Sequence, residues 1–362
     1  MHITLVAGAR PNFMKVAPII KAIKNQESNG RDIHYSLVHT GQHYDTNMSQ
    51  TFFDELNIPA PDVNLGCGGG SQAEQTAAIM IAFEKYLLVH PTDLVMVVGD
   101  VTSTMASSIV AKKLNTRVAH VEAGIRSWDI TMPEEINRMV TDCLADVYYT
   151  TSEVANNNLK NSGVGTEKIH FVGNVMIDTL LQNQSRFRRT QLFDDMSLVE
   201  KRYIVLTLHR PANVDEASNL QHLILEIVSN VHDEPVIFPM HPRTAQIFRE
   251  LNIVAPNLHI VEPLGYLEFN YLVERSRAVV TDSGGITEET TVMGVPCITL
   301  RANTERPETC TIGTNELIGT DPKAIKPALE RLYDGRWKKG GIPPLWDGHA
   351  AERIVENLLQ CQ

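Results

Sequence analysis

Residues 278–289 read Ala-Val-Val-Thr-Asp-Ser-Gly-Gly-Ile-Thr-Glu-Glu, and the fold class turns on this stretch. Ala278-Val279-Val280 is a short apolar run of the kind that forms a buried strand. Ser283, Gly284 and Gly285 follow as a turn without bulky side chains, and residues 286–293 read as a helix opening from it. A helix opened by small residues presents unpaired backbone N–H groups and the positive end of its dipole. Two glycines let a phosphate approach those groups closely. Glu288 and Glu289 are expected on the first turn, within reach of ribose hydroxyls. An ordinary strand–turn–helix has the same pattern, so the turn alone leaves a structural role and a phosphate site both open.

Strand–helix alternation extends outward from this stretch. In the same half, strands are expected over 203–208, 236–238, 258–260 and 296–300, with helices near 220–231, 244–251, 266–274, 323–333 and 350–359. In the first half, strands are expected over 2–7, 33–39, 94–98, 117–121, 147–149 and 169–172. Helices are expected over 13–24 and 71–90, along an amphipathic stretch with Met48, Phe52, Phe53 and Leu56, and from Pro133 onward. Sustained alternation means parallel sheets covered on both faces. A polar, irregular passage over 176–202 marks the domain connection, giving domains 1–175 and 176–349. The fold class is α/β, two doubly wound Rossmann-like domains facing a cleft. The glycine run over 66–70 follows no strand and reads as a flexible connection.

A chain of 362 residues with 43% hydrophobic and 21% charged residues has room for two ordinary cores. No run of 18 apolar residues exists, so no membrane span is expected. The start goes directly into Ile3-Thr4-Leu5-Val6-Ala7, a first strand rather than a signal peptide. Cys67, Cys143, Cys297, Cys310 and Cys361 are scattered without CxxC spacing, which points to reduced thiols in the cytoplasm. A net charge of −11 argues against a nucleic-acid partner. An anionic ligand would therefore need a local cluster of cations.

Strand-end loops carry that cluster: Arg10, Lys15, Arg126, Arg138, His209, Arg210, Arg301 and Arg306. They also carry the carboxylates Asp100, Glu122, Glu134, Asp282, Glu288, Glu289 and Glu305. In parallel sheets the carboxyl ends of the strands are where ligands bind. Solvated surface charge is the plain alternative for Arg10 and Lys15. Glu134 has two: matching the helix dipole behind Pro133, and an i,i+4 pair with Arg138. Two halves offering polar strand ends suit a sugar nucleotide. The chain has no GxxxxGK[ST], GxSxG, HExxH or dinucleotide GxGxxG motif.

The ordered motifs Gly8-Ala9-Arg10-Pro11, Thr40-Gly41-Gln42-His43, Gly99-Asp100, His120-Val121-Glu122-Ala123-Gly124, Pro133-Glu134-Glu135-Ile136-Asn137-Arg138, Thr207-Leu208-His209-Arg210, Asp282-Ser283-Gly284-Gly285 and Thr304-Glu305-Arg306-Pro307-Glu308 resemble the non-hydrolysing UDP-N-acetylglucosamine 2-epimerases along nearly the whole chain. The resemblance implies a glycosyltransferase-B type fold with the helix over 350–362 packing back on the first domain. It implies inversion at carbon 2, interconverting UDP-N-acetylglucosamine and UDP-N-acetylmannosamine for surface polysaccharide precursors. UDP departs first, a 2-acetamidoglucal remains, and re-addition gives the epimer. By resemblance Asp100, Glu122, Glu134, His209, Lys15 and Arg138 are catalytic. Arg10, Phe269, Ser283, Gly284, Gly285, Glu289 and Arg306 hold the UDP moiety. No metal or redox cofactor is implied; a UDP-sugar substrate and a homodimer are. Tyr44-Asp45 replaces the Arg-containing activator segment of many bacterial relatives. With residues 209–213 it resembles relatives acting on UDP-2,3-diacetamido-2,3-dideoxyglucuronic acid, which is the alternative substrate. A glycosyltransferase of the same fold is the alternative from another class.

Overall fold

The computed structural model describes residues 1–42, 53–214, 216–240, 248, 253 and 255–360. They divide into two compact units, Met1–Gln182 with Pro344–Gln362, and Asn183–Pro343. The first is built on strands β1 (His2–Ala7), β2 (His34–His39), β3 (Val63–Asn64), β4 (Leu94–Val98), β5 (Arg117–Val121), β6 (Val147–Thr150) and β7 (Ile169–Phe171). They form one parallel sheet in the order β3-β2-β1-β4-β5-β6-β7. Every residue of β4 is buried, as a strand covered on both faces requires. The direction of strand succession reverses between β1 and β4, the topological switch point where ligands bind in such sheets.

The second unit repeats the plan with β8 (Ile204–Thr207), β9 (Val236–Pro239), β10 (Leu258–Val261), β11 (Ala278–Thr281), β12 (Cys297–Thr299) and β13 (Asn315–Leu317). Their order is β10-β9-β8-β11-β12-β13, again parallel, with the switch point between β8 and β11. Successive side chains of a strand point to opposite faces. Accordingly Val280 packs with Leu206, Leu223 and Ile227, while Val279 packs with Tyr203, Val205 and Leu272. The chain is thus α/β with two doubly wound, Rossmann-like domains.

The structure departs from the sequence expectations in several places. β3 and β13 were not expected, because strands of two or three residues leave no readable period. The polar passage over 176–202 contains the helices Val175–Gln184 and Gln191–Asp195. On the first of these helices polar side chains are buried with partners: Thr179 donates to the Met14 carbonyl at 2.6 Å, and Asp178 accepts from the Ala350 and Ala351 N–H groups at 3.1 and 2.7 Å. Buried, satisfied polar groups give a core helix the composition of a loop. The helix Ala350–Gln360 so anchored packs against Arg10–Ser28. The amphipathic stretch around Met48 and Phe52, the Tyr44-Asp45 pair and most of 244–251 lie outside the described residues. Among those described, no helix is long and apolar enough to cross a membrane.

Candidate active site

At the first switch point, the helix after β1 starts at Arg10, three residues earlier than expected. Its capping loop is set by Asn12, which accepts from the Gly8 and Ala9 N–H groups and donates to the Val98 carbonyl at 3.0 Å. Arg10 therefore stands exposed at the first helical position, and Lys15 one turn further in. Lys15 Nζ lies 2.6 Å from Glu122 Oε2, with side chains 11% and 2% exposed. Glu122 follows β5 with φ +69°, a left-handed backbone that a non-glycine residue holds only under constraint. Gly99, at φ +66°, makes room for the pair, because a Cβ there would stand 2.9 Å from Lys15 Nζ.

Asp100, one residue beyond Gly99, receives Arg138 Nε at 3.0 Å and its own carbonyl receives Asn137 Nδ2 at 2.8 Å. Arg138 Nη1 also pairs with Glu135 at 2.7 Å. Glu135 is fully buried and further accepts from Ser127 and Trp128, fixing the loop ahead of the helix Pro133–Leu144. Burial raises its carboxyl, but the Ser127 N–H, Arg138 and the Trp128 N–H hold it below the ordinary value. Glu134 is exposed on the first turn. Beneath these groups His120 joins Asp142 at 2.7 Å and the Gly99 carbonyl at 2.9 Å. Asp142 also pairs with Arg126 at 2.6 Å and accepts from Gly124 N–H. That buried network ties the Asp100 and Glu122 loops together.

At the second switch point, Asp282 is the hub. It is completely buried and accepts from the His209 and Arg210 N–H groups and from Asn213 Nδ2. His209 Nδ1 lies 2.9 Å from Asp282 Oδ1. Burial would raise the Asp282 carboxyl, but His209, Asn213 and the Arg210 N–H hold it below the usual carboxylate range. An ionised carboxylate only accepts, so Nδ1 carries the proton and Nε2 is left for a ligand.

The helix at the opening stretch runs Gly284–Met293, with Ser283 as its cap residue and no side-chain cap bond. Both glycines are therefore in the helix, and Glu288 and Glu289 lie on its second turn, correcting the first-turn expectation. Both are buried. Glu288 pairs with Arg306, and Glu289 Oε1 accepts from Tyr266 at 2.8 Å. Burial lifts the Glu289 carboxyl to about 7, against the Tyr266 hydrogen bond. Phe269, on the helix Tyr266–Arg275, is half-buried against the core beside β11.

The structure thus joins Lys15 with Glu122, Asp100 with Arg138, and Arg306 with Glu288. Asp282, Glu135 and Asn213 stand inside the quoted motifs, but the motifs assign them no role; Tyr266 and Asp142 belong to no motif. Nothing in spacing links Tyr266 to Glu289.

A family model described as UDP-N-acetylglucosamine 2-epimerase matches residues 25–359. A Methanocaldococcus jannaschii protein named UDP-N-acetylglucosamine 2-epimerase is 40% identical over 99% of both chains. A Pseudomonas aeruginosa protein named UDP-2,3-diacetamido-2,3-dideoxy-D-glucuronate 2-epimerase is 39% identical over 99% of this chain and 100% of its own. A crystal structure of Methanocaldococcus jannaschii UDP-GlcNAc 2-epimerase, in complex with UDP-GlcNAc and UDP, superposes with a TM-score of 0.88 at 40% identity, covering 99% of this chain and 100% of that one.

Proposed function

The chain belongs to the UDP-N-acetylglucosamine 2-epimerase family, and from that premise we propose that it interconverts UDP-N-acetylglucosamine and UDP-N-acetylmannosamine. It is an isomerase, a sugar-nucleotide 2-epimerase. The observation carrying the substrate reading is the pair of carboxylates on adjacent strand ends, Asp100 and Glu122, each paired with a cation.

The carbon-2 hydrogen is not next to a carbonyl, so it is a poor acid in the intact sugar. The anomeric C–O bond breaks first, and UDP leaves with the bonding pair. Oxocarbenium character at carbon 1 acidifies the carbon-2 hydrogen, which a carboxylate removes to give 2-acetamidoglucal. Return of a proton to the other face and of UDP to carbon 1 completes the inversion. Glu122, Asp100 and Glu134 supply the proton chemistry, with Lys15 and Arg138 providing counter-charge. His209, Arg10, Arg306 and the backbone at Ser283 to Gly285 stabilise the departing diphosphate, where preplaced donors are worth most. Glu289 takes the ribose and Phe269 lies by the uracil.

The test is incubation with UDP-N-acetylglucosamine in heavy water, following carbon 2 by NMR. Deuterium at carbon 2 with appearance of the manno epimer is expected. Tight UDP binding without exchange would rule out this substrate. UDP-2,3-diacetamido-2,3-dideoxyglucuronic acid is the second reading, favoured by the 39% identity to the Pseudomonas aeruginosa relative, and is assayed in the same way.

The protein also acts as a homodimer in this reading. Exposed Ile81 and Leu88 on Gln72–Val89, and Ile136 and Met139 on Pro133–Leu144, offer an apolar face to a second copy. Both helices pack against Thr102–Lys113. Cytoplasmic residence fits the unbridged Cys67, Cys143, Cys297 and Cys310.

A further inference from the structure

A carboxylate of the protein itself sits where the second unit is best arranged to hold an external anion. Glu305 brings Oε1 to 2.9 Å from the place a Cβ on Gly284 would occupy. Gly284 is the first residue of a ten-residue helix that has no side-chain cap bond from Ser283. On its other side, Glu305 Oε2 accepts from Arg301 Nη2 at 2.6 Å, and Arg210 Nη2 stands 4.0 Å from Oε1. The Arg301 and Glu305 side chains are 5% and 11% exposed.

One carboxylate is therefore surrounded by two guanidinium groups and a helix N-terminus. Those are the partners a phosphate takes: planar N–H forks and the positive end of a helix. A buried Arg301 without an anion would be costly, so the arrangement needs a negative group at all times. Glu305 supplies it, and glycine at 284 leaves it room. A side chain there would make the carboxylate shift.

We propose that Glu305 is a place-holder for the nucleotide diphosphate. On UDP binding, its carboxylate swings away from Gly284, and Arg301 and Arg210 pass from Glu305 to the phosphate oxygens. This rests on the reading of the second switch point as the nucleotide site. No covalent bond changes; one anion exchanges for another on the same donors. Glu305 consequently lowers UDP affinity and speeds nucleotide release, while keeping Arg301 compensated between turnovers. Arg301 and Arg210 become diphosphate ligands in addition to Arg10 and Arg306.

The experiment measures binding of UDP and of uridine to the full chain and to Glu305→Gln by calorimetry. The variant is expected to bind UDP about ten-fold tighter, because an internal anion no longer competes. Uridine, which has no phosphate, is expected to bind equally to both. In turnover, KM and kcat both fall, and the gain in UDP affinity shrinks with added salt. Equal or weaker UDP binding by the variant overturns the exchange and makes Glu305 a fixed structural partner of Arg301. An equal change for uridine overturns it too. If Glu305→Gln fails to fold, Glu305→Asp withdraws the carboxylate while keeping its charge. About two- to three-fold tighter UDP binding is then expected, and no gain overturns the proposal. A wild-type chain that does not bind UDP removes the nucleotide reading itself, and this inference with it.

Discussion

The two switch points share strand order and parallel pairing, yet the Arg138–Asp100 pair of the first and the His209–Asp282 pair of the second are layered in opposite senses. In the first unit a buried cation stands behind a carboxylate: the Arg138 side chain is 4% exposed and that of Asp100 29%. In the second a buried carboxylate stands behind a cation-forming ring: Asp282 is 0% exposed and His209 62%. Topology fixes where a ligand meets each sheet. The sign presented there is set by which partner the loop residues put in front. An anion in front suits proton removal, and an imidazole in front suits a departing phosphate.

The hardest blow to this contrast comes from the proposed catalytic side. Glu122→Gln is expected to lower carbon-2 deuterium exchange by about 10²- to 10⁴-fold, while UDP affinity stays within about two-fold. Parallel loss of exchange and UDP affinity would erase the division between the edges. Next in size is a stability comparison by urea denaturation. Asp282→Asn removes a fully buried acceptor from several donors and is expected to cost about 2–4 kcal/mol. Asp100→Asn leaves Arg138 paired with Glu135 and is expected to cost less than about 1 kcal/mol. Equal losses would mean that the layering has no energetic content.

The smallest effect is a pH dependence. The Glu289 carboxyl is lifted to about 7, by burial first and with Glu288 adding to the rise. In its proposed role Glu289 accepts from ribose hydroxyls in its ionised form, so UDP affinity should fall as pH drops through about 7, and binding below that pH should release a proton. Calorimetry in two buffers of different ionisation enthalpy reads that proton. Glu289→Gln should flatten the profile; an unchanged slope in that variant would remove Glu289 from the ribose. For stability the sign is opposite to that of a salt-bridged carboxylate. A folded value raised above 4.5 is a penalty, complete above about 7 and relieved as pH falls toward 4.5.

The α/β class and the long strands were legible because continuous apolar runs such as 94–98 and 278–280 have no other economical use in a chain of this size. The motifs showed where carboxylates and cations collect. They could not show layering, which depends on partners far apart in sequence: Lys15 with Glu122, Asp100 with Arg138, His209 with Asp282. The neighbouring glutamates 134 and 135 make the point locally. Periodicity places both on one first turn, but only packing buries Glu135 against Arg138 and leaves its neighbour to solvent. The Gly284-Gly285 pair misled in another way. Glycine composition reads as a turn, whereas here neither residue adopts a positive φ and both open the helix.

Asp178, which receives the first N–H groups of the last helix, has a consequence for cutting the gene. Residues 183–343 are one continuous piece and can be expressed from a single reading frame as a unit. Residues 1–182 are not such a piece. Expressed alone they would leave the face of Arg10–Ser28 that meets Ala350–Gln360 open to water, and would leave Asp178 without those donors. A permuted chain that starts at Pro344, runs through the last helix and is joined by a linker to Met1 would carry its own lock.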